Sequence, residues 1–324
     1  EYGFYTEAPS LKKFFLSLLI SSLVYQLKTE IPSRWKLYLN ENTANSVVFI
    51  SHWMENREDS HRYDELAKYF EDELQVRKYL ADWRLEDYLE CDVLEIFDKA
   101  VILEIINTLL AGGQEYGRYA DIIARRRSSH WYDKFSNVYG ALEAAINLFF
   151  FQKEHQHGFV QPNAGSLFAA YTQDYYQADQ YYRHFYLYYD RVAEQDILKN
   201  LRPLVENLYD NGFLQLLSQV WGERVQDELL NRWPIPLIEQ QSSFYENHVF
   251  PVIEKNERDK VFVIISDALR YESAQELNTR LNRSGKGIAE LQAMQGVLPS
   301  YTKLGMASLL PGKEYCINNK ARVL

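Results

Sequence analysis

Residues 261–265 read Val-Phe-Val-Ile-Ile, between the charged Lys260 and the dipeptide Ser266-Asp267. An unbroken apolar run of this length, mostly β-branched, suits a strand covered on both faces, as in a parallel sheet flanked by helices. No other stretch constrains the fold as much, because it opens an alternation of strand and helix signals. A helical pattern comes next (Leu269, Ser273, Leu277, Leu281), then a second candidate strand over 292–298, Pro299 as punctuation, and the first turns of another helix over 304–310. In open α/β sheets ligands and metals bind at the carboxyl ends of strands, which is where Asp267 falls. A carboxylate there can supply a hard oxygen ligand. Thr302 sits at or beside the N-terminus of the second helix, where free N–H groups and the helix dipole favour an anion. A hydroxyl so placed can attack phosphorus once a metal or base lowers its pKa, and Gly305 lets backbone or ligand approach closely. Lys303 and Arg270 are further candidates for contacting phosphoryl oxygens. For Arg270 the alternative is a salt bridge on its own helix, with Glu272 or Glu276.

The segments Asp267-Ala-Leu-Arg-Tyr-Glu272 and Pro299-Ser-Tyr-Thr-Lys-Leu-Gly-Met-Ala-Ser-Leu-Leu-Pro311 occur in that order. Together they resemble the PglZ family of the BREX phage-defence systems, itself similar to the alkaline-phosphatase superfamily. The strong resemblance covers 261–312, with a weaker one in the helical region around Arg127-Ser-Ser-His-Trp-Tyr132. It implies a metal-dependent phosphatase or phosphodiesterase that uses zinc, with two divalent metals in the intact protein. Carried over residue by residue, it makes Asp267 a metal ligand and Thr302 both nucleophile and metal ligand. It also implies a cytoplasmic protein whose partners are other BREX proteins, with a phosphate ester or nucleic acid as substrate.

The superfamily's remaining Asp and His ligands lie well downstream of the nucleophile, whereas this sequence stops at Leu324, has no His after His248 and does not begin with Met. The expectation is a piece of a longer protein that is inactive by itself and does not hold the zinc. The fold class expected is mainly α with a C-terminal α/β segment. A helical domain over 1–255, a candidate docking platform for BREX partners, precedes the opening β-α-β portion of the catalytic domain over 256–324. The rival reading is a non-catalytic helical scaffold that docks those partners.

The remaining residues favour helices. The apolar window 14–27 is shorter than the roughly 18–20 residues a membrane span needs, so it reads as a core helix entered at Pro9-Ser10. Helical spacing recurs over 63–80, 85–110, 116–127, 131–151 and 204–230, while 47–50 fits a strand or a helix equally. Gly112-Gly113 stops the second of these. Phe168, Tyr171, Tyr175, Ala178, Tyr182, Phe185 and Tyr189 step by three and four along one helical stripe. Such a stripe suits packing against neighbouring helices, with nucleobase stacking as the alternative.

The net charge of −10 is uneven. Residues 261–324 hold eight Lys/Arg against five Asp/Glu, +3, which leaves −13 for the remainder. A basic segment suits an anionic substrate, while the acidic remainder argues against general nucleic-acid binding. Arg125-Arg126-Arg127 with His130-Trp131-Tyr132 is the best basic-aromatic cluster, read either as helix-terminal arginines or as a phosphate or partner contact. His155 and His157 read as a solvated loop for want of further ligands. Cys91 and Cys316, far apart in sequence, suggest no disulfide framework.

Overall fold

A computed structural model of the chain describes residues 2–256, 258 and 260–312; Cys316 lies outside them. By its internal contacts the chain divides into two compact units, Glu1–Phe150 with Tyr181–Asn207, and Phe151–Gln180 with Leu208–Leu324. The architecture is mainly α. Among the described residues, no helix is long and apolar enough to cross a membrane.

In the first unit the apolar window forms the helix Leu11–Gln26, begun by Ser10, whose Oγ accepts the Lys13 amide at 3.2 Å. Every residue from Leu16 to Leu23 is buried, so this helix is core on all sides. Asn40, from a neighbouring loop, meets one of its buried serines and a serine of the next helix. The Asn40 amide donates to Ser21 Oγ at 3.1 Å, and Asn40 Nδ2 donates to Ser46 Oγ at 2.5 Å. Ser46 lies on the helix Thr43–Glu55, which packs against the first and includes residues 47–50. The helix Ser60–Leu74 ends at Gln75, which adopts the left-handed conformation (φ +53°).

The centre of this unit is the helix Glu95–Leu110. Its Asp98, fully buried, accepts from Arg126 Nε at 3.0 Å and from the Tyr139 hydroxyl at 2.6 Å. Arg126 ends the helix Tyr116–Arg126 and also donates to the carbonyls of Leu89 (2.7 Å) and Cys91 (2.9 Å). Tyr139 belongs to the helix Tyr132–Glu154. One buried ion pair thus ties three helices and a loop together. Burial pushes the neighbouring Cys91 thiol up to about 12, which makes it an inert core side chain.

The second unit is built on aromatic residues. His155 packs against Phe151, Phe159 and Tyr175, stacking on Phe151 at 4.1 Å, and Phe213 packs edge-on against Phe151 and Phe159. His155 also bonds Asp174 at 2.8 Å, so it is a packed residue rather than part of a solvated loop. The striped segment, whose residues from Tyr181 on belong to the first unit, is helical, as Ala164–Ala170, a π turn over Tyr171–Tyr175, and Tyr176–Tyr189. Tyr175, Ala178, Phe185 and Tyr189 are buried, as the packing reading requires.

The expected C-terminal strands are a correction. Residues 261–266 and 292–298 run extended but join no ladder; among the described residues the only β pairing is the parallel bridge of Gln240 with Gln295. The physical reason is that strand character is a pairing property. The backbone groups of a parallel strand must be met by neighbouring strands, and no described segment pairs with 261–265. Phe262 (85 %) and Ile264 (91 %) are accordingly exposed, where burial on both faces was expected. The two extended segments border one cavity of about 510 Å³ with Val263, Ile265, Leu291 and Met294 in its walls. The helices between and after them do form, as Tyr271–Arg283 and Thr302–Ser308. Of the leucines that set the helical pattern, Leu277 and Leu281 lie in the first helix and Leu269 just ahead of it, each about half exposed.

Candidate active site

The turn after the first extended segment carries Asp267, and the chain returns at Thr302, the first residue of the helix Thr302–Ser308. Across 35 residues of sequence the two side chains meet, and the Thr302 hydroxyl donates to Asp267 Oδ2 at 3.3 Å. Both groups are exposed to solvent.

The backbone on each side explains the meeting. Ala268, next to Asp267, lies in the left-handed region at φ +57°. That conformation costs an alanine about 1–2 kcal/mol and persists only where the surroundings enforce it. Two anchors lie just beyond it. The Tyr271 hydroxyl donates to the Thr172 carbonyl at 3.0 Å, and the Arg270 guanidinium stands 3.7 Å from Asp179. Arg270 thus reaches an acidic partner outside its own helix, while Glu276 pairs with Arg280 one turn on.

On the other side, three glutamines fasten the segment that leads to Thr302. Gln295 is buried, and its side chain accepts from the Ile235 amide (2.8 Å) and donates to the Trp233 carbonyl (2.7 Å). Gln240 Nε2 donates to the same Gln295 oxygen at 2.9 Å. Gln241 accepts from the Val297 amide (3.2 Å) and donates to the Gly305 carbonyl (3.0 Å), so it holds the Thr302 helix directly. Sequence reasoning missed all three, along with Asp179. The signal for Asp179 was a carboxylate within an aromatic stripe; uncharged glutamines in a connector leave none.

Other candidates resolve as structural. Arg126 is buried against Asp98, Arg125 pairs with Glu90, and Arg127 pairs with Glu143 at 2.9 Å. His130 is bonded to Asp64 at 2.7 Å. The arginine run is therefore internally neutralised and reads as helix-terminal structure.

Zinc takes four donors in tetrahedral array. Asp267 and Thr302 place two oxygens together, but among the described residues no group of three or more His, Cys, Asp or Glu could hold a metal. The residues present therefore fit part of a metal's donor set and fall short of a whole one.

A family profile described as "BREX system PglZ alkaline phosphatase-like domain" matches residues 244–324, which include both motifs. The chain is 38% identical over 322 residues to a Bacillus cereus (strain H3081.97) protein named "Alkaline phosphatase-like protein PglZ", covering 99% of this chain and 38% of that protein. It is 31% identical over 331 residues to an Escherichia coli O9:H4 (strain HS) protein named "Alkaline phosphatase-like protein BrxZ", covering 98% of this chain and 38% of that protein. No solved structure matches it significantly. The chain thus spans 38% of the length of each of these curated relatives. With the similarity running through the helical part as well as the two motifs, the chain belongs to the PglZ family of BREX alkaline phosphatase-like proteins.

Proposed function

We propose that this chain carries the nucleophile and the first metal-binding carboxylate of a phosphate-ester hydrolase acting in BREX-type phage defence. The observation that carries the reading is the 3.3 Å bond between Thr302 Oγ1 and Asp267 Oδ2. Phosphoryl transfer to a protein hydroxyl needs the oxygen held in place, and a base to take its proton or a metal to lower its pKa. Asp267 fixes the rotamer of the Thr302 hydroxyl and leaves a lone pair free to attack phosphorus. A phosphothreonine forms as the alcohol of the ester leaves, and water then displaces the threonine. Asp267 and Thr302 are the groups of this chain that would hold a divalent metal, zinc by family resemblance. Such an ion supplies positive charge against the phosphoryl oxygens and lowers the hydroxyl pKa. The extended segments 261–266 and 292–298 have strand-forming sequences and would pair within the parallel sheet of an alkaline-phosphatase-like domain.

The test is hydrolysis of nitrophenyl phosphate mono- and diesters by the full-length protein with zinc supplied. Thr302→Ala and Asp267→Ala should each remove the activity; survival of the wild-type rate in either variant refutes the assignment.

A second reading concerns the helical part. The similarity to both relatives extends through residues ahead of the catalytic motifs, which suits a platform that docks other BREX proteins. Co-elution of the full-length protein with those proteins on size exclusion supports it, and failure to bind any of them removes it.

A further inference from the structure

The motif that begins with Asp267 holds its neighbours against residues that precede the family match at 244–324, all of them in the second unit. Besides the Tyr271 bond to the Thr172 carbonyl, the Tyr271 ring packs edge-on against Tyr176 with centroids 5.6 Å apart. The Arg270 contact is the informative one because of the group it meets. Asp179 is 5 % exposed. Its two oxygens accept from two phenols, Tyr171 at 2.7 Å on Oδ2 and Tyr209 on Oδ1. Burial, and then the bond to Asp179, push both phenols above their ordinary range, so they stay protonated and donating. Two neutral donors satisfy a carboxylate's hydrogen bonding and leave its charge intact. Arg270, largely exposed, is the cation that faces that charge from outside.

We propose that Asp179 is a positioning residue for the hydrolytic site: acting through Arg270, it holds the Asp267 turn in the conformation that brings the carboxylate to Thr302. The helical residues 151–180 and 208–243 then belong to the working site and are more than a separate platform. This inference rests on the roles proposed for Asp267 and Thr302. It also accounts for the left-handed Ala268, since the turn between Asp267 and Arg270 is restrained on its C-terminal side by a pair set in the helical scaffold.

The experiment is amide hydrogen exchange of the full-length protein over residues 266–273, comparing wild type with Asp179→Asn, Arg270→Gln, Arg270→Lys and the Asp179→Asn/Arg270→Gln double variant. Each neutralising single variant should raise exchange in this segment roughly tenfold, the double variant should add nothing further, and Arg270→Lys should restore part of the protection. Unchanged exchange in Arg270→Gln, or effects that add in the double variant, overturn the proposal. Arg270→Gln decides even if Asp179→Asn fails to fold, because the arginine head is exposed. On a nitrophenyl phosphate ester, kcat should fall with KM nearly constant in both single variants. A fully active variant with a loosened turn refutes the positioning role. A wild-type protein without esterase activity refutes the hydrolase reading instead, and exchange still decides whether Asp179 holds the turn.

Discussion

Replacing Arg126 by Met removes the guanidinium from the centre of the first unit while keeping most of the side chain's volume. Arg126 is 1 % exposed and Asp98 0 %. In the variant the Asp98 carboxylate retains the Tyr139 hydroxyl as donor but has no cation, and the Leu89 and Cys91 carbonyls lose theirs. Breaking a buried pair from one side costs about 3–5 kcal/mol, and a stranded buried acceptor about 1–3 kcal/mol. The loss belongs at the upper end, about 5 kcal/mol. For a folding unit of this size, about 2–4 °C per kcal/mol translates that into a fall in Tm of at least about 10 °C. The double variant Arg126→Met/Asp98→Leu removes the orphaned charge and should regain part of the loss, leaving the stranded carbonyls and a Tyr139 hydroxyl without its acceptor. Urea unfolding followed by tryptophan fluorescence and circular dichroism measures all three proteins. A single variant within about 1 kcal/mol of wild type, or a double variant less stable than the single, would show that the pair does not carry the packing assigned to it.

Local geometry sets three further outcomes. A Cβ at Gly140 would lie 2.7 Å from the Tyr188 ring, so Gly140→Ala should cost about 1–3 kcal/mol in urea unfolding despite its better helix propensity. Ala268→Gly should raise stability by about 0.5–1 kcal/mol, since glycine adopts φ +57° without strain; a loss of stability would mean the turn is not strained. Burial raises the Glu71 carboxyl above its ordinary range, against the Ile96 amide that bonds it at 3.2 Å. A raised acid binds its proton more tightly in the folded state, so its contribution to stability is best below the unfolded carboxylate pKa and is lost as pH rises through the folded value. Glu71→Gln should therefore be more stable than wild type at pH 7, and the advantage should vanish on acidification below about pH 4, as urea midpoints at the two pH values will tell.

Much of the helical framework was legible because helix formation is local. The apolar window with Pro9-Ser10 ahead of it located Leu11–Gln26, and the aromatic stripe located the packed face of Ala164–Tyr189 with its π turn. Asp267 and Thr302 stood out through the two motifs that resemble the PglZ family; an aspartate after an apolar run says little by itself. What failed was non-local. Residues 261–265 have strand composition, yet a strand exists only where another segment offers its backbone, and none of the described ones does. The contacts that hold the site share this character. Arg270 finds Asp179 and Gln241 finds Gly305 across long separations, through groups whose type says little about their partner. The arginine run could be read two ways for the same reason, because Glu90, Asp98 and Glu143 neutralise it from elsewhere in the chain.

The central claim is that Thr302 takes the phosphoryl group while Asp267 stands beside it. Rapid acid quench of the full-length protein turning over a phosphate ester with zinc, followed by peptide mass spectrometry, tests it most directly. The account predicts that the peptide holding Thr302 gains the mass of one phosphoryl group, and that Thr302→Ala and Asp267→Ala abolish the adduct. Turnover with an unmodified Thr302 peptide and a phosphorylated residue elsewhere would contradict it.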